Sequence, residues 1–276
     1  MYLTCTLLAI PLIKTAMSFT LNPSNLYDSW YEDKVRSTLS QFHINLSNGK
    51  SDANGPMVSE DIEWNVNGNL LVSRESFVEN LKSLIATFHP LDILDEYHLV
   101  DGNVGAVLYH LHGRQIGEMA GIEATGKHFN VMGSELMVFD ADAKLHTLYT
   151  IDELEQVISQ VTGLASAAPA SNITVFSNPQ TSPDFRQKLR DNIALLIKKF
   201  QEGTYSNIAN LATLDVAVNA DGALSTGTDA VVQLFTANLD AFRDKRFHLD
   251  YVVADGKLVS GLLLSFMTRP LLIHCI

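Results

Sequence analysis

Hydrophobic residues recur at helical spacing in two stretches of the first hundred residues. Apolar positions three or four residues apart form one face over residues 31–46 and a second over residues 77–88, which is typical of amphipathic helices. The two faces consist of Tyr31, Val35, Leu39, Phe42 and Leu46, and of Phe77, Leu81, Leu84, Ile85 and Phe88. Ser73 stands where a side chain caps a helix, and Pro90 opposes continuation of that helix.

Strand-like patterns follow the second helix. Four runs that end in turn residues such as Asp101-Gly102 cover residues 93–100, 104–112, 127–139 and 145–151, and a shorter run covers residues 62–66. A last helical pattern covers residues 154–161, with Asp152 as its predicted N-cap. Helices followed by an antiparallel meander predict an α+β fold.

The same pattern begins again 154 residues later. The first helical face recurs without a gap as Phe185, Leu189, Ile193, Leu196 and Phe200, and the Asp-Gly turn recurs at Asp255-Gly256. We interpret this as a tandem duplication in which residues 24–163 are a complete domain. Residues 164–183 have the Ala, Ser and Pro content of a linker. Residues 184–276 form a truncated copy without the last two strands and the closing helix, and residues 271–276 resemble nothing upstream.

Residues 1–20 are predicted to be a signal peptide or a disordered segment. Residues 2–13 form an apolar run of signal-peptide length, but no Lys or Arg precedes it. Two glycosylation sequons, at Asn45 and Asn172, suit a secreted chain. The sequence leaves secretion and a cytoplasmic location open at even odds.

Charge and motif content restrict the partners. The formal net charge is −12 at pH 7 and the pI is about 5.1, so a nucleic-acid partner is not expected. No window of about 18 uninterrupted apolar residues predicts a membrane-spanning helix. The sequence contains no Gly-rich phosphate loop, serine nucleophile elbow or Cys-x-x-Cys pair, and we predict no cofactor.

A glycine-rich stretch separates the second and third long strands. Residues 113–127 carry glycines at positions 113, 117, 121 and 126, which predicts a shaped connection and not a helix. The stretch resembles the Gly-x-x-x-Gly-Ile-x-x-Thr-Gly-Lys loop of the SnoaL-like proteins, the polyketide-cyclase branch of the nuclear transport factor two-like superfamily. The resemblance implies a cone, in which a curved antiparallel sheet wraps around helices and leaves a pocket, and it implies sheet-to-sheet dimers.

The resemblance also implies a site for acid/base chemistry, because SnoaL-type cyclases close a ring by an aldol-type reaction. The family usually has Gly-Thr-His where this chain has Gly113-Arg114-Gln115, so another group must move the proton. His110 and His112 alternate onto one strand face and are the candidate catalytic residues. The candidate pocket-lining residues are Trp64, His98, Gln115, His128, Glu135 and Tyr149. The histidines are alternatively surface groups or partners of buried hydroxyls. No metal site is predicted, because this spacing supplies at most two ligands.

Three functions remain open at this stage. The first is binding of a small, largely apolar, secondary-metabolite-like molecule in the pocket of the first domain. The second is a cyclase or isomerase that uses the histidines as acid and base. The third is a scaffold or dimerisation module whose cone is filled by its own side chains. Whether the protein is an enzyme is therefore left open by the sequence.

We expect the two cones to pack sheet to sheet within the chain as an intramolecular pseudo-dimer, because apolar residues occupy both faces of the strand at residues 104–112. Further homo-oligomers are compatible with this arrangement. Small-angle scattering of the full chain should give the profile of one compact particle. A profile of two separated bodies on a flexible linker would contradict the prediction.

Overall fold

The computed structural model describes two compact units, one within residues 23–176 and one within residues 177–276. The described residues are 29–66, 69–152, 154–166, 183–204, 217–220, 223–229, 232–233, 236, 247–255, 258–265 and 271–275. The predicted amino-terminal segment and most of the predicted linker lie outside them.

The first unit is a six-stranded sheet packed on helices, as the α+β prediction requires. Its elements are α1 (Ser29–Ser47), a 3-10 helix (Ser51–Met57), β1 (Val58–Val66), β2 (Asn69–Val72), α2 (Arg74–Thr87), β3 (Phe88–Asp101), β4 (Val104–Gln115), β5 (His128–Phe139), β6 (Leu145–Asp152) and α3 (Leu154–Thr162). The strand order is β2-β1-β6-β5-β4-β3.

One strand pair corrects the prediction of a wholly antiparallel sheet. β1 and β6 run parallel, whereas the other neighbouring pairs are antiparallel. β6 reaches β1 only after the chain has passed through α2 and the β3–β5 meander. Hydrophobic alternation within a strand predicts which face is buried, but it does not predict the direction of a partner so distant in the chain.

The core lies between the helices and one face of the sheet, which we call the inner face. All five residues of the predicted α1 face are buried, and they pack with Val107, Tyr109 and Leu111 of β4. In α2, Phe77 and Leu81 are buried as predicted, but Phe88 already begins β3. The predicted cap is confirmed, because the Ser73 hydroxyl accepts a hydrogen bond from the Ser76 amide at 3.3 Å.

The glycine-rich stretch forms the end of β4 and a loop without helix, as predicted. Gly121 and Gly126 have positive φ angles, of +78° and +70°. Gly113 and Gly117 are required for a different reason. A Cβ at these positions would lie 2.8 Å from the Pro90 carbonyl oxygen and 2.9 Å from the Ala86 carbonyl oxygen. Only two of the four glycines therefore serve to turn the backbone.

Gln115 holds the glycine-rich loop together. Its side chain is fully buried, and its amide nitrogen lies within 3.3 Å of the carbonyl oxygens of Gly117, Ile122 and Glu123. Its amide oxygen accepts a hydrogen bond from the Thr125 hydroxyl at 2.8 Å. The candidate pocket residue Gln115 is thus used by the loop itself.

Replacing Gln115 by Ala should lower the free energy of unfolding by about 2–3 kcal/mol, because buried carbonyls and a hydroxyl lose their partner. Urea unfolding of the full chain measures the change. Gln41→Ala is the matched control, since this exposed glutamine makes one bond, to Asn45 Oδ1, and should cost less than about 0.5 kcal/mol. Equal losses in the two variants would contradict the anchoring role.

The Asn45 sequon lies in the core and not on the surface. Asn45 is buried in α1, and its amide donates a hydrogen bond to Asn54 Oδ1 at 2.8 Å. In the folded unit this asparagine is not accessible to a glycan. Asn172 lies outside the described residues. No helix among the described residues is both long and apolar enough to cross a membrane.

The second unit contains one long helix and two small sheets in its described part. Its elements are α4 (Pro183–Glu202), β7 (Ala217–Ala220), β8 (Ala223–Thr226), β9 (Phe247–Asp255), β10 (Leu258–Ser265) and β11 (Leu271–Cys275). β7 pairs with β8, and the order of the larger sheet is β11-β10-β9. β11 pairs antiparallel with β10, as β5 does with β4.

Element positions in the two units agree at the 154-residue offset. α4 begins 154 residues after α1, and β8 and β10 begin 154 residues after β2 and β4. The hairpin partners Asp101 and Val104 correspond to Asp255 and Leu258. Each hairpin also has a register shift at the corresponding position, which skips Glu96 in β3 and Asp250 in β9, again 154 residues apart; β3–β4 has a second shift, between Phe88 and Leu91. These agreements are what the tandem duplication predicts, and the duplication itself stays a prediction.

Candidate acid/base site

The two candidate catalytic histidines lie on the outer face of the sheet, opposite α1. His110 is buried, and its Nε2 lies 2.7 Å from Glu96 Oε1. Burial raises the pKa of the Glu96 carboxyl, and His110 opposes that rise. His112 is 42% exposed, and its Nε2 lies 3.5 Å from Asp92 Oδ2. The structure therefore does not bring either histidine to the inner face of the sheet.

The interior instead contains His43, a residue that the sequence analysis did not select. It projects from α1 onto the inner face and is 2% exposed. His43 Nδ1 lies 2.5 Å from Asp95 Oδ1 of β3, and His43 Nε2 lies 3.1 Å from Glu135 Oε2 of β5. A single buried imidazole thus joins two carboxylates from two different strands.

Two further predicted pocket residues, His98 and Trp64, and Thr150 extend this contact into a network, which we call the His43 network. His98 Nε2 lies 2.6 Å from Asp95 Oδ2. On the other side, the Thr150 hydroxyl donates to Glu135 Oε1 at 3.0 Å and accepts from Trp64 Nε1 at 2.8 Å. The network therefore consists of His98, Asp95, His43, Glu135, Thr150 and Trp64.

The remaining predicted pocket residues lie elsewhere. His128 is exposed at the start of β5. Tyr149 neighbours Thr150 on β6, so strand alternation places it on the opposite sheet face. Gln115 is bonded to the glycine-rich loop, as described above. Asp152 ends β6, and because residue 153 lies outside the described residues, its predicted capping role stays a prediction.

A β-bulge explains why Asp95 and His98 share a face although they are three residues apart. In a regular strand that spacing places side chains on opposite faces. Asp95 pairs with Tyr109, but Tyr97 pairs with Leu108, so Glu96 is the extra residue. The inserted residue returns His98, opposite Val107, to the inner face.

His43 is held in its charged form by its two neighbours. Both ring nitrogens face carboxylate oxygens, and only the doubly protonated imidazolium can donate to both. Burial alone would lower the pKa of His43, but hydrogen bonds and charge from Asp95 and Glu135 raise it to about 9. Burial likewise opposes ionisation of Asp95, but its hydrogen bonds to His43 and His98 bring the pKa of this carboxyl below its usual value.

Aromatic rings enclose the imidazolium. The Tyr109 ring meets the His43 ring edge to face at 5.0 Å, and the Phe42 ring lies 5.4 Å away. Tyr109 lies directly over Gly133, where an added Cβ would be 2.4 Å from the tyrosine ring. Glycine at this position therefore leaves the space that Tyr109 occupies beside His43.

The network has one buried end and one partly open end. Side-chain exposure is 2% for His43 and 6% for Glu135, but 17% for Asp95 and 21% for His98. A small molecule or water would therefore meet Asp95 and His98 first. Within the described ranges, no three His, Cys, Asp or Glu side chains are grouped so as to hold a metal ion.

This geometry defines a class of α+β domain. A mixed sheet packs on helices, and ionised side chains lie in the interior between them. No protein-family model and no curated protein matches the sequence. Solved structures do match, each over about half of this chain. One is from Jannaschia sp. CCS1 and is described as a SnoaL-like polyketide cyclase. It shares 19% identity at a TM-score of 0.46, and the match covers 52% of this chain and 100% of that chain.

Two further solved structures match with similar identity, TM-score and coverage. TsrD from Streptomyces laurentii shares 17% identity at a TM-score of 0.44, with 49% of this chain and 97% of that chain covered. A protein from Xanthomonas campestris pv. campestris, described as a polyketide cyclase, shares 18% identity at a TM-score of 0.43, with 48% and 98% covered. At these sequence identities and TM-scores, the structural similarity does not assign an activity to this chain.

The stability of the protein should depend on pH through His43. A pKa raised from 6.5 to about 9 on folding contributes stability that is fully present below the lower value and is lost as pH rises through the higher one. The shift corresponds to a contribution on the order of 3 kcal/mol. The lowered pKa of Asp95 contributes stability that is lost at acidic pH.

Urea unfolding of the wild type and of His43→Gln across this pH range measures the contribution as the difference between the two proteins. That difference should shrink as the pH rises through about 9. A difference that does not change with pH would contradict a charged His43.

Proposed function

We propose that the first unit is a SnoaL-like domain that binds a small, largely apolar molecule and transfers protons on it through His43 and Asp95. The observation that carries the proposal is an imidazolium held between two carboxylates in an aromatic and aliphatic interior. Charged groups placed in such an interior are the groups that acid/base catalysis uses. The resemblance of the glycine-rich stretch supports the same class of protein.

The roles follow from the positions of the three ionisable groups. Asp95 is the carboxylate at the partly open end, so it is the candidate base. His43 carries a proton on each ring nitrogen and is the candidate acid. Glu135, bonded to His43 and Thr150, keeps the imidazole charged and fixes the plane of its ring.

The reaction class supported is ring closure or isomerisation of an enolisable carbonyl compound. Asp95 takes a proton from the carbon next to a carbonyl. In ring closure, that carbon forms a bond to a second carbonyl carbon, and the second oxygen receives a proton from His43. The proton on Asp95 then returns to His43. The substrate has exchanged a C–H bond and one carbonyl π bond for a C–C bond and an O–H bond, and the network is restored.

This assignment replaces the hypothesis that His110 or His112 is the base. Both lie on the outer face, whereas the groups proposed here converge on the inner face from α1, β3 and β5. The ligand class is unchanged, because Phe42, Tyr109 and Val107 surround the network with apolar surface.

A scaffold is the second candidate, and one observation favours it. Both His43 nitrogens and all four carboxylate oxygens of Asp95 and Glu135 already have partners without any ligand. A network saturated in this way also serves simply to fill and fix an interior.

The test is hydrogen–deuterium exchange at the carbon next to the carbonyl of α-tetralone, a small apolar ketone, in heavy water with the full chain. Wild type should accelerate exchange, and His43→Gln and Asp95→Asn should each reduce the acceleration by at least about 100-fold. His146→Gln is the matched control, because this histidine is on β6, partly exposed and 3.8 Å from Asp61. Loss in His110→Gln with full activity in His43→Gln would overturn the assignment.

A variant with four substitutions separates loss of chemistry from loss of folding. At the 154-residue offset, the positions of His43, Asp95 and His98 are occupied by Ile197, Leu249 and Val252. The variant that carries these apolar residues, combined with Glu135→Gln, should fold and lose the exchange activity. The scaffold is favoured by two results together. The wild type gives neither exchange nor a thermal shift with α-tetralone, and the multiple variant is at least as stable as the wild type.

A further inference from the structure

We infer that His98 is the group through which the buried His43–Asp95 pair exchanges protons with solvent. His98 and His43 bind the two different oxygens of the same carboxylate, at 2.6 Å and 2.5 Å. Exposure rises along this path from 2% at His43 to 17% at Asp95 and 21% at His98. The use of this path in turnover rests on the proposed function, but the path itself is a property of the unliganded protein.

The opposite branch of the network cannot serve the same purpose. From His43 it passes through Glu135 and Thr150 to Trp64 Nε1. An indole N–H donates a hydrogen bond but neither accepts nor releases a proton near neutral pH. Trp64 is also buried, at 6% exposure. Protons therefore reach His43 from the Asp95 side.

The transfer balances as the movement of one proton. A hydronium ion gives a proton to His98 Nδ1 and is left as water, and the His98 Nε2 proton moves to Asp95 Oδ2. The carboxyl group then makes a half-turn about its last side-chain bond, which has a broad two-fold torsional profile. It presents the proton to His43 Nδ1 when His43 has given its own proton away. His98 is left neutral, and the reverse sequence releases a proton.

The bulge at Glu96 is the structural condition for this path. Without the extra residue, His98 would lie on the outer face and Asp95 would have no partner towards solvent. His98 is thus a positioning and proton-exchanging residue placed by the backbone. It does not need to touch a substrate.

The experiment measures the solvent exchange rate of the His43 Nδ1 proton by NMR in the nitrogen-labelled full chain. His98→Gln keeps a donor that can reach Asp95 Oδ2 but cannot take up a proton. We expect exchange to slow by at least about tenfold. The backbone amide of Leu39 in α1 should exchange at its wild-type rate, which shows that local opening has not changed.

Chemical rescue gives a second readout. In His98→Ala, free imidazole should restore the exchange rate, because it can occupy the space of the missing ring, whereas it should have little effect on wild type. His146→Gln should behave as wild type throughout. An unchanged rate in His98→Gln, or no rescue of His98→Ala by imidazole, would overturn the inference.

The two proposals fail separately. If exchange through His98 is confirmed but α-tetralone is never turned over, the path exists and the proposed function is wrong. If His43→Gln abolishes turnover but His98→Gln leaves the His43 proton exchange unchanged, the function stands and the path does not.

Discussion

The interior of the first unit depends on one buried charge. An imidazolium removed from water is tolerated only when each of its protons has a strong acceptor, and His43 meets that condition with Asp95 and Glu135. These groups come from α1, β3 and β5, so the helix and two strands are fixed relative to one another by a directional contact. Apolar packing alone tolerates small displacements, but a hydrogen-bonded ion pair does not.

The backbone does not require this charge, as the second unit shows. The register of the β9–β10 hairpin repeats that of β3–β4, including the skipped residue at Asp250. Yet Ile197, Leu249 and Val252 stand at the positions that correspond to the His43–Asp95–His98 part of the network. The bulge is therefore compatible with either set of residues. Since a buried ion pair is often no more stabilising than apolar residues of similar size, the charge in the first unit calls for an explanation other than stability.

Local sequence patterns predicted much of the fold, but they did not predict the contacts between segments that are distant in the chain. Helical and strand periodicity predicted α1, α2, α3 and the four long strands, and a serine before an apolar face predicted the Ser73 cap. His43 was missed although it lies four residues after Leu39 and three before Leu46, within the buried stripe of α1, where a polar residue needs a partner. Asp95 could not be placed because the bulge at Glu96 reverses strand alternation. The parallel β1–β6 pair leaves no local signal.

The residues that carry the family resemblance and those that carry the candidate chemistry are different. The glycine-rich stretch is fixed by close backbone contacts and by Gln115, and it contributes no side chain to the His43 network. A loop of this kind can persist in a fold while the interior changes, so it indicates architecture more than activity. Glutamine at position 115, where the resemblance implies histidine, therefore says little about proton transfer in this chain. The candidate acid/base groups lie on the inner face, where the only partly exposed members of the His43 network are Asp95 and His98.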